Sequence, residues 1–286
     1  MATAAHIVEG ARVSKKAACS LTNPKEQRTS GLRTGKFEEV KPPSKGQARE
    51  GKRTMTTTHT DKAYERELIE VRDRLLEMGG LVEAAIEASI RAVIERDAEL
   101  AQQVKIRDRE INRMEVDVDG ACRRILALRQ PAASDLRFIT TALKIVTDLE
   151  RMGDLAVNVA ERALELTQAP ATTATVSPMN DIAKLADLSE AQLKRALDAF
   201  VTRDVEKAEE VLKGDDLLDT LYLKIFNSLL AIMMEDSRNI RRATSIMFAA
   251  KYLERFGDHA TNLAEMVVYM VRGTDIRHPK SRGPEA

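Results

Sequence analysis

The sequence predicts an all-α fold of two tandem, pseudo-symmetric three-helix bundles, and three observations carry that expectation. The first is composition: 31% of residues are charged, only 3% are aromatic and there is no Trp. A β-rich domain of this length draws more on aromatic and β-branched residues. The second is a helical spacing of apolar residues that persists from about residue 61 to residue 272. The third is a repeated phrase. DLERMGDLAVNVAE occupies 148–161 and YLERFGDHATNLAE occupies 252–265, so that Glu150 and Glu254 stand 104 residues apart.

The elements follow in order. Helices are predicted over 61–95, 97–129 and 134–167, the first seamed by Leu68, Val71, Leu75, Met78, Val82, Ile86 and Val93. Pro131 breaks the chain after the second helix, and Ser134 or Asp135 is placed to cap the third. A Pro/Ala/Thr linker, QAPATTATVSP at 168–178, precedes three more helices over 180–202, 204–234 and 236–272. The second set repeats the first. Arg96-Asp97 returns as Arg203-Asp204, and the seam Val104, Ile111, Met114, Val118, Cys122, Ile125 returns as Val211, Leu218, Leu221, Ile225, Leu229, Ile232. The repeat units are therefore expected at 61–167 and 179–272. Met233, Met234 and Met247 are expected to fill core.

Residues 1–54 stand apart. They hold 12 Lys/Arg against 5 Asp/Glu, a charge of +7, with Pro24, Pro42 and Pro43 and no sustained period. They read as a disordered basic extension, with Met55 the expected natural start, and residues 273–286 read as a flexible tail. The body carries the compensating −7, which offers no general reason to bind nucleic acid. Cys19 and Cys122 do not make a disulfide framework, so a reducing, cytoplasmic setting is expected. No uninterrupted apolar run reaches the roughly 18 to 20 residues of a membrane span. Gly46-x-x-x-x-Gly51-Lys52 approaches a phosphate-binding loop, but Arg53 replaces the Ser/Thr and no strand precedes it.

The doubled phrase carries the chemistry. At about 100° per residue, Glu150, Asp154, Asn158 and Glu161 share an arc of about 80° that continues the apolar seam of Leu136 and Leu143. Glu254, Asp258, Asn262 and Glu265 do the same below Ile240 and Met247. Counting from the turns brings Asp108 and Asn112 level with the first set, and Asp215 and Asp219 level with the second. Gathered carboxylates repel, and desolvating them is costly, so a bound cation relieves both effects. Oxygen-only donors suit magnesium, manganese or iron. The competing reading is solvated helix faces, with Arg151 and Arg255 pairing the glutamates. His259 points about 140° away from the acidic face and is not a candidate ligand. Glu115 and Asp148 rank low, because Tyr222 and Tyr252 replace them in the repeat. Gly153 and Gly257, mid-helix at a cost of roughly 1 kcal/mol each, call for close approach or tight packing. Gly79-Gly80 is a packing notch or a hinge.

The doubled E-R-x-G-D helix, the P-x-x-S-D-L-R phrase at Pro131–Arg137 and the two three-helix halves resemble the PhoU family of phosphate-uptake regulators. The resemblance covers about 61–272. It implies a cytoplasmic, non-enzymatic regulator that links the phosphate ABC transporter, through its ATPase subunit, to a phosphate-sensing histidine kinase. Such a protein restrains uptake and the starvation response when phosphate is plentiful. It also implies multinuclear metal sites at Glu150/Asp154 and Glu254/Asp258. Access to the membrane is expected only through partners, and a homodimer is expected because exposed helical bundles of this kind often self-associate. Two rivals are a carboxylate-bridged di-metal oxidase and a purely structural helical adaptor. The oxidase wants two Glu-x-x-His pairs; the nearest approach is Asp275-x-x-His278, in the tail.

Overall fold

The computed structural model describes residues 62–168 and 178–276, all within one compact unit, Thr56–Ala286. The expected basic extension, Met55, Cys19, most of the linker and the tail beyond 276 lie outside the described residues. Six helices follow in order: α1 (Lys62–Glu95), α2 (Ala98–Arg129), α3 (Ala133–Gln168), α4 (Met179–Thr202), α5 (Val205–Glu235) and α6 (Ile240–Arg272).

Local signals explain the boundaries. Arg96 and Arg203 adopt the left-handed conformation, with φ of 57° and 54°. The aspartate after each then caps the next helix: Asp97 accepts from the amides of Glu99 and Leu100, and Asp204 from those of Glu206 and Lys207. The repeated Arg-Asp pair is thus a stop followed by a start, satisfying amides that the first turn leaves orphaned. Two expectations need correction. α3 begins at Ala133, so neither Ser134 nor Asp135 is its cap; Asp135 is buried inside the first turn and accepts from the Tyr64 hydroxyl at 2.9 Å. α6 begins at Ile240 rather than 236, because a 3-10 turn, Ser237–Asn239, intervenes under an Asp236 cap.

The helices pack as a row in the order α2, α3, α6, α5, with α1 behind α2 and α3 and α4 behind α6 and α5. α3 and α6 run antiparallel through the middle and join the halves. Three contacts along them show it: Arg137 Nε donates to the Met270 carbonyl, Asp148 meets His259, and Ser245 Oγ donates to Glu165 Oε2. Being flanked on both sides and from behind, these two helices carry the broadest buried faces. Phe138 stacks on Phe200 with ring centroids 5.8 Å apart, tying α3 to α4 across the halves.

Both phrase glycines sit at helix crossings. A Cβ on Gly153 would lie 3.1 Å from Ile111 Cδ1 and 3.2 Å from Asp108 Oδ1. On Gly257 it would lie 2.6 Å from Leu218 Cδ1 and 3.1 Å from Gln192 Oε1. Ile111 and Leu218 are the same seam position in the two repeats, so the glycines let each hairpin close onto that position. Gly79 is likewise a notch, holding Leu197, whereas Gly80 faces open space.

Two further expectations change. Met234 is 85% exposed and does not fill core, although Met233 and Met247 pack against it. α5 is also long and apolar enough on average to cross a membrane, with a mean hydropathy of 1.5 over its best window, although only 17% of that window is buried. Asp219 and Lys224 interrupt its apolar run, and Val211, Leu218, Ile225 and Leu229 bind the helix into the core.

Candidate carboxylate sites on the two hairpins

Each site is built from one helix pair. In the first half α2 presents Asp108 and Asn112 on successive turns, beside the buried Ile111. α3 presents Glu150 and Asp154 on either side of Gly153. The close crossing at Gly153 brings the two sets together. Asn112 Nδ2 donates to Asp108 Oδ2 at 2.9 Å. Asp108 Oδ1 and Asn112 Oδ1 are both buried and have no hydrogen-bonding partner. Burial raises the Asp108 carboxyl above the usual carboxylate range, and the Asp154 charge raises it further. Glu150 is raised by burial first and then by Asp154, Glu115 and Asp108, with Arg151 opposing. Glu115, ranked low on the sequence, therefore belongs to this electrostatic group.

The second half repeats the arrangement with differences. Thr261 donates to Asp215 Oδ1 at 3.2 Å, and Lys251 Nζ pairs with Glu254 Oε2 at 2.6 Å. The same ammonium lies 5.1 Å from the centre of the Tyr222 ring. Asp215 is raised by burial and by Asp219, Asp216 and Glu254, against the Thr261 hydrogen bond. Asp258 goes furthest. Although its side chain reaches solvent, partial burial, Glu254, Asp215 and Asp219 push its carboxyl up to about 6, with Lys251 opposing.

Not every predicted residue joins these groups. Glu161 pairs with Lys105 at 2.9 Å and lies near Arg162 at 3.8 Å. Asn158 and Asn262 are half-buried on the same helices, and neither they nor Glu265 act on the raised carboxyls. His259 turns the other way, as expected, and its Nδ1 lies 2.8 Å from Asp148 Oδ1, both side chains buried at the α3–α6 crossing. Lys251 and Gln192 had no sequence signal. Gln192 fills the space behind Gly214 and Gly257, where the first half has Ala85; a repeat alignment aimed at charge passes over it.

The donor set fits a hard cation in kind. It is oxygen only, it includes two buried acceptors without donors, and four of its carboxyls are raised by burial and like charge. As the side chains lie, no three His, Cys, Asp or Glu groups among the described residues close on one point as a metal cage. The remaining cysteine of the described residues, Cys122, is buried and free, with its thiol pushed up to about 11, and it takes no part.

The fold and sites define a duplicated helical-hairpin protein with an acidic cluster on each hairpin. The PhoU domain model matches residues 75–163 and 182–267, one segment in each half. A phosphate-specific transport system accessory protein PhoU homolog of Pseudomonas putida is 45% identical over 224 residues, covering 78% of this chain and 86% of that protein. The homolog of the same name from Clostridium acetobutylicum is 37% identical over 222 residues, covering 76% and 98%. The crystal structure of PhoU from Pseudomonas aeruginosa superposes with a TM-score of 0.70 at 44% identity, over 74% of this chain and all of that one. That of the phosphate transport system regulatory protein PhoU from Streptococcus pneumoniae gives 0.68 at 28% identity, over 74% and 99%. The chain belongs to the PhoU family.

Proposed function

We propose that this protein is a non-enzymatic, cytoplasmic regulator of phosphate transport that works by docking partner proteins, with divalent or trivalent cations steadying its two acidic hairpins. The relatives named as accessory and regulatory proteins of phosphate transport support the role. The observation that carries the mechanism is the doubled carboxylate group at one register of both hairpins. In the first half Glu150, Asp154, Asp108 and Asn112 would hold the ion; in the second, Glu254, Asp258, Asp215 and Asp219. The ion supplies countercharge, and iron, manganese and magnesium all suit the oxygen donors. The chain's own residues do the rest. The glycine crossings hold α2 on α3 and α5 on α6, and the buried seams keep the carboxylates facing one way. A fixed acidic surface then meets basic faces of the transporter ATPase subunit and of a phosphate-sensing kinase. The protein acts as a homodimer in this reading and reaches the membrane only through those partners.

The test is made in cells that lack the gene and are grown with abundant phosphate. Wild-type protein should restore repression of phosphate uptake and of starvation genes. The Glu150→Gln/Asp154→Asn/Glu254→Gln/Asp258→Asn variant, produced at equal level, should not. If the deletion leaves uptake and repression unchanged, the regulatory role is wrong. If the variant restores both fully, the carboxylates do not serve it. Dioxygen-dependent oxidation by the iron-loaded protein would instead favour the oxidase reading.

A further inference from the structure

The two halves differ most where α5 and α2 face solvent. On α5, Leu223, Phe226, Leu230 and the pair Met233–Met234 recur at spacings of three, four and then three or four residues, a stripe three turns long. Leu223 is 56%, Leu230 39% and Met234 85% exposed, and Phe226 and Met233 are half-buried. The repeat counterparts on α2 are Val116, Asp119, Arg123, Leu126 and Ala127. Asp119 and Arg123 form an ion pair at the positions of Phe226 and Leu230. At its centre the same register carries an ion pair in one half and Phe226 with Leu230 in the other. Met233 packs partly against the core, but Leu223, Phe226, Leu230 and Met234 lie outside it, and α5 is held there chiefly by Val211, Leu218, Ile225 and Leu229.

A heptad-spaced stripe fits one kind of object, a helix laid along it. Its surroundings set the charge of that helix. Asp219 lies one turn before Leu223, next to Asp215, Asp216, Glu254 and Asp258, and Lys251 is the cation that pairs there. At the other end Glu235 follows Met234, and Asp236 is paired with Arg238, so the acidic excess lies at the Asp219 end. A second copy laid parallel along α5 would bring one acidic group onto the other, and an anionic lipid surface would meet the same repulsion at the Asp219 end.

We propose that the exposed stripe of α5, from Leu223 to Met234, is the docking site for an amphipathic helix of a partner protein, its apolar face on the stripe and its Lys/Arg residues against the Asp215–Asp219–Glu254–Asp258 group when no cation occupies it. This rests on the reading that the protein works by docking partners, and it assigns the contact to the second half alone.

The probe is a fluorescent model helix about three heptads long, with Leu at its a and d positions and Lys in its last two turns, read by anisotropy against chelator-treated full-length protein. It should bind the wild type. Leu223→Ser/Leu230→Ser/Met234→Ser should weaken binding about ten-fold or more, as truncation of central apolar contacts does. Val116→Ser on α2 should leave it unchanged, and a Glu-ended probe should bind about ten-fold more weakly. Circular dichroism confirms that these surface variants keep their fold. Absence of binding, or equal binding by the Ser variant, overturns the proposal. So does a dimer that the Ser variant converts to monomer, because then a second copy covers the stripe. Co-sedimentation with phosphatidylglycerol vesicles, lost in the same variant, would assign the stripe to lipid and overturn it too. The Ser variant leaves every carboxylate in place. Metal binding, and the loss of repression on deleting the gene, therefore hold or fail independently of this result.

Discussion

The α2–α3 hairpin and the α5–α6 hairpin share a register, a glycine crossing and a carboxylate group, yet differ in what surrounds them. Each leaves buried oxygens without hydrogen-bond partners, Asp108 Oδ1 and Asn112 Oδ1 in the first, Gln192 Oε1 and the lysine-paired Glu254 Oε2 in the second, and the first places no lysine in the group. The second closes more tightly at its glycine, adds Lys251 and Thr261 as partners, and carries the exposed apolar stripe. Duplication preserved what two packed helices require and let the surface change.

The largest expected effect breaks the joint between the halves. Asp148 and His259 are a buried pair whose repeat counterparts are Tyr252 and Leu155, so the joint is polar at only one of two equivalent places. His259→Ala leaves a buried carboxylate alone and should cost about 3 kcal/mol in urea unfolding. The Asp148→Ala/His259→Ala double variant should cost less than the sum of the single ones. Additive losses would mean that the two side chains do not interact.

Next come the glycines. Gly257→Ala must move Leu218 and Gln192 and should cost about 1 to 2 kcal/mol. Gly153→Ala meets looser contacts and gains helix propensity of about 1 kcal/mol, so it should fall near zero. Equal losses would remove the asymmetry between the crossings.

A smaller effect concerns pH. The folded-state pKa of Asp258 is raised from 3.8 to about 6. Its charged form is thus disfavoured by folding, and the penalty grows as pH rises from about 4 to about 6 and is full above that. Asp258→Asn should raise stability at pH 7 by about 1 kcal/mol, allowing for solvent screening of an exposed side chain. At pH 4 the gain should vanish. Thermal melts of both proteins at the two pH values check this, and a gain that persists at pH 4 contradicts the electrostatic account. Manganese at pH 7 should raise the Tm of the wild type more than that of the variant.

Much of this was legible in the sequence, for a physical reason. The helical period and the duplicated phrase are set by residue spacing, and spacing survives whatever the side chains do. The six helices, the level of Asp108 with Asp154 and the turn of His259 away from the acidic face all follow from it. Side-chain choice does not. Glu115 and Lys251 join the sites through the reach of long side chains, and Gln192 through filling a gap that Ala85 leaves open in the other half. Met234 is exposed although it is as apolar as Met233, because it falls on the side of α5 away from the core. The start of α6 moved because the Asp236 cap favours a 3-10 turn, a local competition that a hydrophobic period does not register.

The most direct test is manganese binding by equilibrium dialysis to chelator-stripped, untagged protein, with metal content also measured as purified. The wild type should bind manganese at both hairpins. The Glu150→Gln/Asp154→Asn/Glu254→Gln/Asp258→Asn variant should bind none, with its helical content intact. Binding to neither protein, or equally to both, would contradict the claim that the doubled phrase holds cations and would return the two acidic faces to solvent and partner contact alone.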